Sequence, residues 1–300
     1  MKGNVKKSLI VILGPTASGK SDLAVEIARM FNGEVVSADS RQVYKGLDIG
    51  TGKITKKEMR GILHHLLDVV NPKRRFFLPE YQKQATQAID EIQKRGKTPI
   101  LCGGTGFYIQ SIVDGIIVPE VPPNEDLRKK LSKKSADELF MMLKKFDPKR
   151  AKSIDAKNPV RLIRAIEIAR ALGSVPKLSS RPPSYNILQI GIDVERDELK
   201  EKITKRLAKR LRIGMVAEAT HLHEKGLSWK RMRELGLDYR ALADLITKKT
   251  NLKEFKEVML KESMDYAKRQ MVWFKRDKKI RWFKLNEKEK IIREVRKFLK

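Results

Sequence analysis

Apolar and polar positions along the chain follow two rhythms. Leu9 to Leu13 is a continuous apolar run with the length of a buried strand, and "SDLAVEIARMF" behind it places Leu23, Ile27 and Met30 on one helical face. "EVVSADS" is a second short apolar run. "PEYQKQATQAIDEIQKRG" has the amphipathic period of a helix ending at Gly96, and Thr98 to Cys102 comes next as a third strand. Strands alternating with helices predict an α/β fold on a parallel, doubly wound sheet.

The texture changes after "DGIIVPEVPPNEDL", where prolines cluster at 119, 122 and 123. The segment beyond them is helical. "SADE" at 135–138 is a capping box heading "LFMMLKKF", and "NPVRLIRAIEIARALG" carries Asn158 as cap, Pro159 in the first turn and Gly173 as stop. Residues 116–186 therefore read as a helical insertion domain, and 1–115 with 187–300 as the core domain it interrupts. "ILQIGIDV" resumes the core as a buried strand, followed by the helix "RDELKEKITKRLAKRLRIG". The C-terminal part is helix-rich and basic, with a long helix opening at Asn251 and "IRWFKL" as a short strand beyond it.

"GPTASGKS", Gly14 to Ser21, has the G-x-x-x-x-G-K-[ST] spacing of a phosphate-binding loop and stands between a strand and a helix, as that motif requires. The fold expected is therefore P-loop NTPase-like. Gly14 and Gly19 permit a tight turn and close backbone approach, and Pro15, Thr16, Ala17 and Ser18 complete a loop whose N–H groups can point at phosphate oxygens. Lys20 adds a point charge, and Ser21 offers a hydroxyl to Mg2+. The loop alone specifies a polyphosphate ligand and no reaction. A nucleotide hydrolase carries a later strand ending in aspartate; here "TPILCGGTG" ends in Cys102 and then Gly-Gly-Thr. The carboxylate stands after the second strand, as Asp39. Ligands of an open parallel sheet bind outside the carboxyl ends of its strands, so Asp39 and Thr105 are expected to face the loop. The structural alternative for Asp39 is a helix N-cap.

Charge enlarges the picture. Sixty-six Lys and Arg against 37 Asp and Glu give a net charge of +29, which points to a polyanion larger than one nucleotide. Tyr266, Trp273, Phe274, Trp282 and Phe283 lie among basic residues and suit either base stacking or, more commonly, core packing. No apolar run reaches the ~18 residues of a membrane span. The opening "MKGNVKKSLIVILGPT" mimics a signal peptide, but it breaks straight into the phosphate loop and reads as the first core strand. Cys102 is the single cysteine, which leaves no intramolecular disulfide and no Cys-based zinc site; a cytoplasmic protein is expected. "HHLLD" at 64–68 suggests a zinc site only in isolation.

"GPTASGKS", "SADSRQVYKGLDIGTGK", "HHLLDVVNP", "GGTGFYIQSIVDG", "NPVRLIRAIEI" and "YAKRQMVWFK" stand in an order and at intervals that resemble the bacterial tRNA dimethylallyltransferases over essentially the whole chain. The resemblance implies transfer of a dimethylallyl group from dimethylallyl diphosphate to the exocyclic amine of the adenosine 3′ to a tRNA anticodon. It assigns Asp39 as general base, and Lys20, Arg206 and Thr105 beside it in catalysis, with Arg210 and Arg212 close enough in sequence to compete with Arg206. The loop then holds a prenyl diphosphate with Mg2+ at Ser21. Contacts to the anticodon stem-loop map onto Asp39, Ser40, Arg41, Gln42 and Thr105, onto Arg128, and onto Val160, Arg161, Leu162, Ile163 and Arg164. Arg233, Tyr239 and Arg240 complete that set, although "RELGLDYRAL" departs from the family pattern by placing Leu237 and Asp238 between Gly236 and Tyr239. A monomer without a membrane partner is the family expectation. An adenylate isopentenyltransferase acting on free nucleotide is the nearest rival, and a P-loop kinase or RNA-dependent ATPase the next.

Overall fold

Eight strands lie among the described residues: β1 (Lys7–Leu13), β2 (Gly33–Ala38), β3 (His64–His65), β4 (Thr98–Gly103), β5 (Ile116–Ile117), β6 (Ser179–Ser180), β7 (Tyr185–Asp193) and β8 (Arg281–Lys284). The protein is represented by a computed structural model that describes residues 7–181 and 185–300; residues 1–6 of the basic opening lie outside it. Six strands form one sheet in the order β3-β2-β4-β1-β7-β8, every pair parallel, and β5 pairs antiparallel with β6. The strand expected third is fourth in the chain, because β3 precedes it. Two polar residues give no periodic signal.

The continuous apolar run of β1 follows from its position. Leu9, Val11 and Leu13 pack under the helices Leu78–Lys94 and Gly106–Val113, while Ile10 and Ile12 face Lys20–Met30 and Lys288–Leu299 on the other side. With both faces covered from Leu9 to Leu13, every position of that stretch is apolar, while Lys7 and Ser8 at the strand's start are not fully buried. The buried residues of Lys20–Met30 are Leu23, Ala24, Val25, Ile27 and Ala28; Met30, expected on the Leu23–Ile27 face, is 54% exposed. A third cluster joins Val43, Tyr44 and Leu47 to the helices Met215–Glu224, Trp229–Glu234 and Leu237–Ile246 and to Phe255 and Met259 of Leu252–Phe274. It braces the segment that follows β2.

The chain divides into two compact units, Met1–Gly115 with Pro182–Lys300, and Ile116–Arg181. The second has its own core of Leu131, Leu139, Leu143, Ala151, Leu162, Ala165, Ile166 and Ala169. Its helices start and stop on local chemistry. Ser135 Oγ accepts the Glu138 N–H at 3.2 Å while Glu138 accepts the Ser135 N–H at 2.8 Å, and Asn158 accepts the Arg161 N–H at 3.1 Å. Gly173 ends the last helix at φ 81°, a conformation that favours glycine.

Candidate active site

β4 lies between β2 and β1, so the carboxyl ends of three adjacent strands deliver Asp39, Gly104-Thr105 and the phosphate loop to one crevice. The loop is shaped by close contacts. A Cβ on Gly14 would stand 2.9 Å from the Ile192 carbonyl oxygen, and one on Gly19, at φ 84°, would stand 2.7 Å from Leu285 Cδ2. Ser18 Oγ is buried with no hydrogen-bond partner among the described residues. Lys20 Nζ donates to the Pro15 carbonyl at 3.0 Å, which folds the ammonium back over the loop. Burial pushes the Lys20 pKa down. Ser21 is exposed at the start of its helix beside the thiol of Cys102, which donates to the Lys20 carbonyl at 3.6 Å and is pushed up to about 12, chiefly by burial.

Asp39 caps a turn and not a helix. Its Oδ1 accepts the N–H groups of Arg41 at 2.8 Å and Gln42 at 3.3 Å, and among the described residues none hydrogen-bonds to Oδ2. Thr105 holds the other side: its N–H donates to the Ala38 carbonyl at 3.1 Å and its Oγ1 accepts the Ser40 N–H at 3.0 Å. Tyr266 stands at the same wall, its hydroxyl pushed up to about 12 by burial first and by the Asp39 charge next. Half-buried at the site, Tyr266 thus belongs with Asp39 and Thr105, a placement that aromatic spacing alone did not reveal.

Arg206 Nη2 donates to Thr16 Oγ1 at 2.5 Å, and burial, then the neighbouring Arg210, lowers its pKa to about 10. Asp39 is among the charges acting on both Lys20 and Arg206. Two desolvated cations at a loop of backbone donors form a site for an anion. Arg210 is engaged elsewhere, donating to the Ile49 carbonyl at 2.6 Å and to Asp238 at 2.9 Å, and Arg212 is exposed. The departure at Asp238 therefore provides a partner for Arg210. Glu218 fixes the same loop by accepting the N–H groups of Asp48, Ile49 and Gly50 at 3.0, 2.7 and 2.8 Å.

The remaining sequence candidates fall into three groups. Ser40, Arg41 and Gln42 line the turn capped by Asp39, with Gln42 Nε2 on the Gly52 carbonyl at 3.3 Å. Tyr239 is a core residue, 1% exposed with its hydroxyl on Glu218 at 2.6 Å, so it presents no surface to a ligand; Arg233 and Arg240 are paired with Asp244 and Glu262. In the unit Ile116–Arg181, Leu162 is a core residue and Ile163 is partly buried, whereas Val160 is 77% exposed and Arg161 is exposed, its charge partner among the described residues being the distant Asp155 at 3.7 Å. Arg128 and Arg164 converge on the buried Glu167, Arg128 through two bonds of 2.6 and 2.8 Å and Arg164 at 3.1 Å, with Arg164 also on the Val121 carbonyl. Although Arg161 and Arg164 are three residues apart on one helix, Arg161 turns outward and Arg164 inward.

His65 of "HHLLD" pairs with Glu34 at 2.7 Å, and His64 Nδ1 stands 2.9 Å from the Ile62 carbonyl oxygen. Among the described residues no group of three or more His, Cys, Asp or Glu is placed to hold a metal ion. Gln270, from the helix Leu252–Phe274, also reaches the crevice: Oε1 accepts the Thr16 N–H at 2.9 Å and Nε2 donates to the Gly104 carbonyl at 2.8 Å. The signal for it was available as a polar residue on the otherwise core-facing stripe Ser263, Ala267, Gln270, Phe274.

The chain is similar to known proteins of one family. The chain is 42% identical over 282 residues to a tRNA dimethylallyltransferase of Caldicellulosiruptor saccharolyticus, covering 90% of each chain, and 38% identical over 298 residues to one from Anoxybacillus flavithermus, covering 98% of this chain and 95% of that one. The crystal structure of a full-length tRNA isopentenylpyrophosphate transferase from Bacillus halodurans superposes with a TM-score of 0.75 at 34% identity, covering 98% of this chain and 97% of that one. The family model described as IPP transferase matches residues 42–277, from the turn after Asp39 to the end of the long C-terminal helix and just beyond. By that match and by these relatives, the chain belongs to the IPP transferase family.

Proposed function

We propose that this protein transfers a dimethylallyl group from dimethylallyl diphosphate to the exocyclic amine of the adenosine 3′-adjacent to the anticodon of tRNA, releasing diphosphate. The observation that carries the reading is the convergence of an anion loop, two desolvated cations and a carboxylate with one free oxygen at adjacent strand ends, in a chain of this family.

The chemistry rests on these groups. The loop N–H groups, Lys20 and Arg206 hold the diphosphate and stabilise the charge that develops as the allylic C–O bond breaks. The adenine amine is a weak nucleophile, because its lone pair is delocalised into the ring. As its nitrogen bonds to the allylic carbon it must lose a proton, and Asp39 Oδ2 is placed to accept it while Oδ1 stays anchored by Arg41 and Gln42. Thr105 fixes this wall through Ser40 and lies beside the entering base. The adenosine reaches the crevice by leaving the anticodon-loop stack. The exposed hydroxyl of Ser21, at the head of its helix next to the phosphate loop, would hold Mg2+ together with the substrate's own oxygens. When bound, Mg2+ neutralises leaving-group charge.

In this reading the unit Ile116–Arg181 is the helical insertion that grips the anticodon stem, with Val160 and Arg161 outward, and the enzyme works as a cytoplasmic monomer. No helix among the described residues is long and apolar enough to cross a membrane. Incubation with labelled dimethylallyl diphosphate, offering tRNA and AMP in parallel, tests the function. Label in tRNA alone supports it; label in AMP points to the free-nucleotide reaction.

A further inference from the structure

We propose that Gln270 is a positioning residue that holds the phosphate loop and the Asp39–Thr105 wall in register, so that the leaving group and the base meet the two substrates at a fixed separation. The inference rests on the reading of the loop as a diphosphate site. Gln270 is 5% exposed, and its amide bonds in two directions: to the Thr16 N–H at 2.9 Å and, buried, to the Gly104 carbonyl at 2.8 Å. A backbone N–H requires an acceptor and a carbonyl requires a donor. A carboxamide supplies both from one rigid plane, and these two partners admit only one orientation of it.

The backbone has been cleared to receive this side chain. A Cβ on Gly104 would stand 2.3 Å from Gln270 Nε2, and one on Gly106 would stand 2.4 Å from Trp273, one turn further along the same helix. The two glycines of "GGTG" at 104 and 106 are therefore the seat of the helix Leu252–Phe274 against the end of β4. Each arm leads to a reacting partner. Thr16 Oγ1 accepts from Arg206, which faces the diphosphate. Gly104 precedes Thr105, whose Oγ1 accepts from the Ser40 N–H next to Asp39. Gln270 itself touches neither reacting atom; it acts through Thr16 and through Thr105. Because it engages the Thr16 amide, the phosphate oxygens are left to the loop amides beyond Thr16.

The test uses the full chain with Gln270→Met, which keeps the length and loses both bonds, and Gln270→Glu, which keeps an acceptor for Thr16 and loses the donor to Gly104. Binding of inorganic pyrophosphate and of tRNA is measured by calorimetry, together with kcat, KM for each substrate and the thermal midpoint. Gln270→Met is expected to bind pyrophosphate about tenfold more weakly and to lose at least about tenfold in kcat, with tRNA affinity within about threefold of wild type. Should Gln270→Met fail to fold, the same drop in kcat with retained tRNA binding is expected of Gln270→Glu. A folded variant with wild-type kcat and pyrophosphate affinity overturns the proposal. So does a lowered thermal midpoint with kcat per folded molecule unchanged, which marks a purely structural role. A wild-type protein that does not bind pyrophosphate overturns the diphosphate reading itself, a separate result.

Discussion

Arg206 Nη2 donates to Thr16 Oγ1 at 2.5 Å although 190 residues separate them. One turn further along the same helix, Arg210 points into the protein and binds Ile49 and Asp238. The two arginines therefore fail differently when removed. Arg206→Ala should lose about 10²-fold or more in kcat with little change in stability, since it removes a cation facing the leaving group. Arg210→Ala should lower stability by about 2 kcal/mol, because it strands a carbonyl and a carboxylate. Urea unfolding alongside kinetics checks both; the reverse assignment would place Arg210 at the diphosphate.

Asp39→Asn preserves an oxygen for the Arg41 and Gln42 N–H groups and removes the proton acceptor. Turnover should fall by about 10²–10⁴ while tRNA affinity stays within a few fold. A variant that keeps more than about a tenth of wild-type turnover contradicts the base assignment.

Legibility in the sequence tracked the range of the interactions. β1, the phosphate loop, the capped helices at Ser135, Asn158 and Asn251, and the position of Asp39 and Thr105 at strand ends are set by local chemistry, and were readable. Bonds set by the tertiary fold were not: nothing local sends Arg206 to Thr16, 190 residues away, and Arg210 to Ile49, 161 residues away, and helical spacing does not turn Arg164 toward the buried Glu167 and Arg161 to solvent. Tyr239 and Leu162 were similarly opaque, since a motif position does not state burial.

RNA binding should be steeply salt-dependent, with log K falling on log salt at a slope of roughly −4 to −7 if several phosphates are neutralised. Arg161→Ala should flatten that slope by about one unit. Arg128→Ala should act mainly on stability, by about 3 kcal/mol, since it uncovers the buried Glu167 carboxylate. Equal slope changes in Arg128→Ala and Arg161→Ala, with stability untouched, would contradict the division.

Acid stability has an identifiable source in Glu34. Burial by itself raises this carboxyl, but hydrogen bonds from Lys97, His65 and Arg95 outweigh it and hold the group at about 2, against an ordinary 4.5. A depressed folded pKa contributes stability that is fully present above about pH 4.5 and lost as pH falls toward 2. The contribution is on the order of 2–3 kcal/mol. In Glu34→Gln, urea midpoints should change less between pH 5 and 2 than in wild type (roughly the window set by the two pKa values); an identical acid limb would show that Glu34 is not the group responsible.

The most direct measurement of the central claim is label transfer from dimethylallyl diphosphate to two anticodon stem-loops that differ at one base, adenosine or inosine 3′ to the anticodon. Inosine lacks the exocyclic amine and leaves the fold of the RNA in place. The account predicts one labelled nucleoside in the adenosine stem-loop, none in the inosine stem-loop and none in AMP. Equal labelling of both RNAs, or label in AMP with none in RNA, would contradict it.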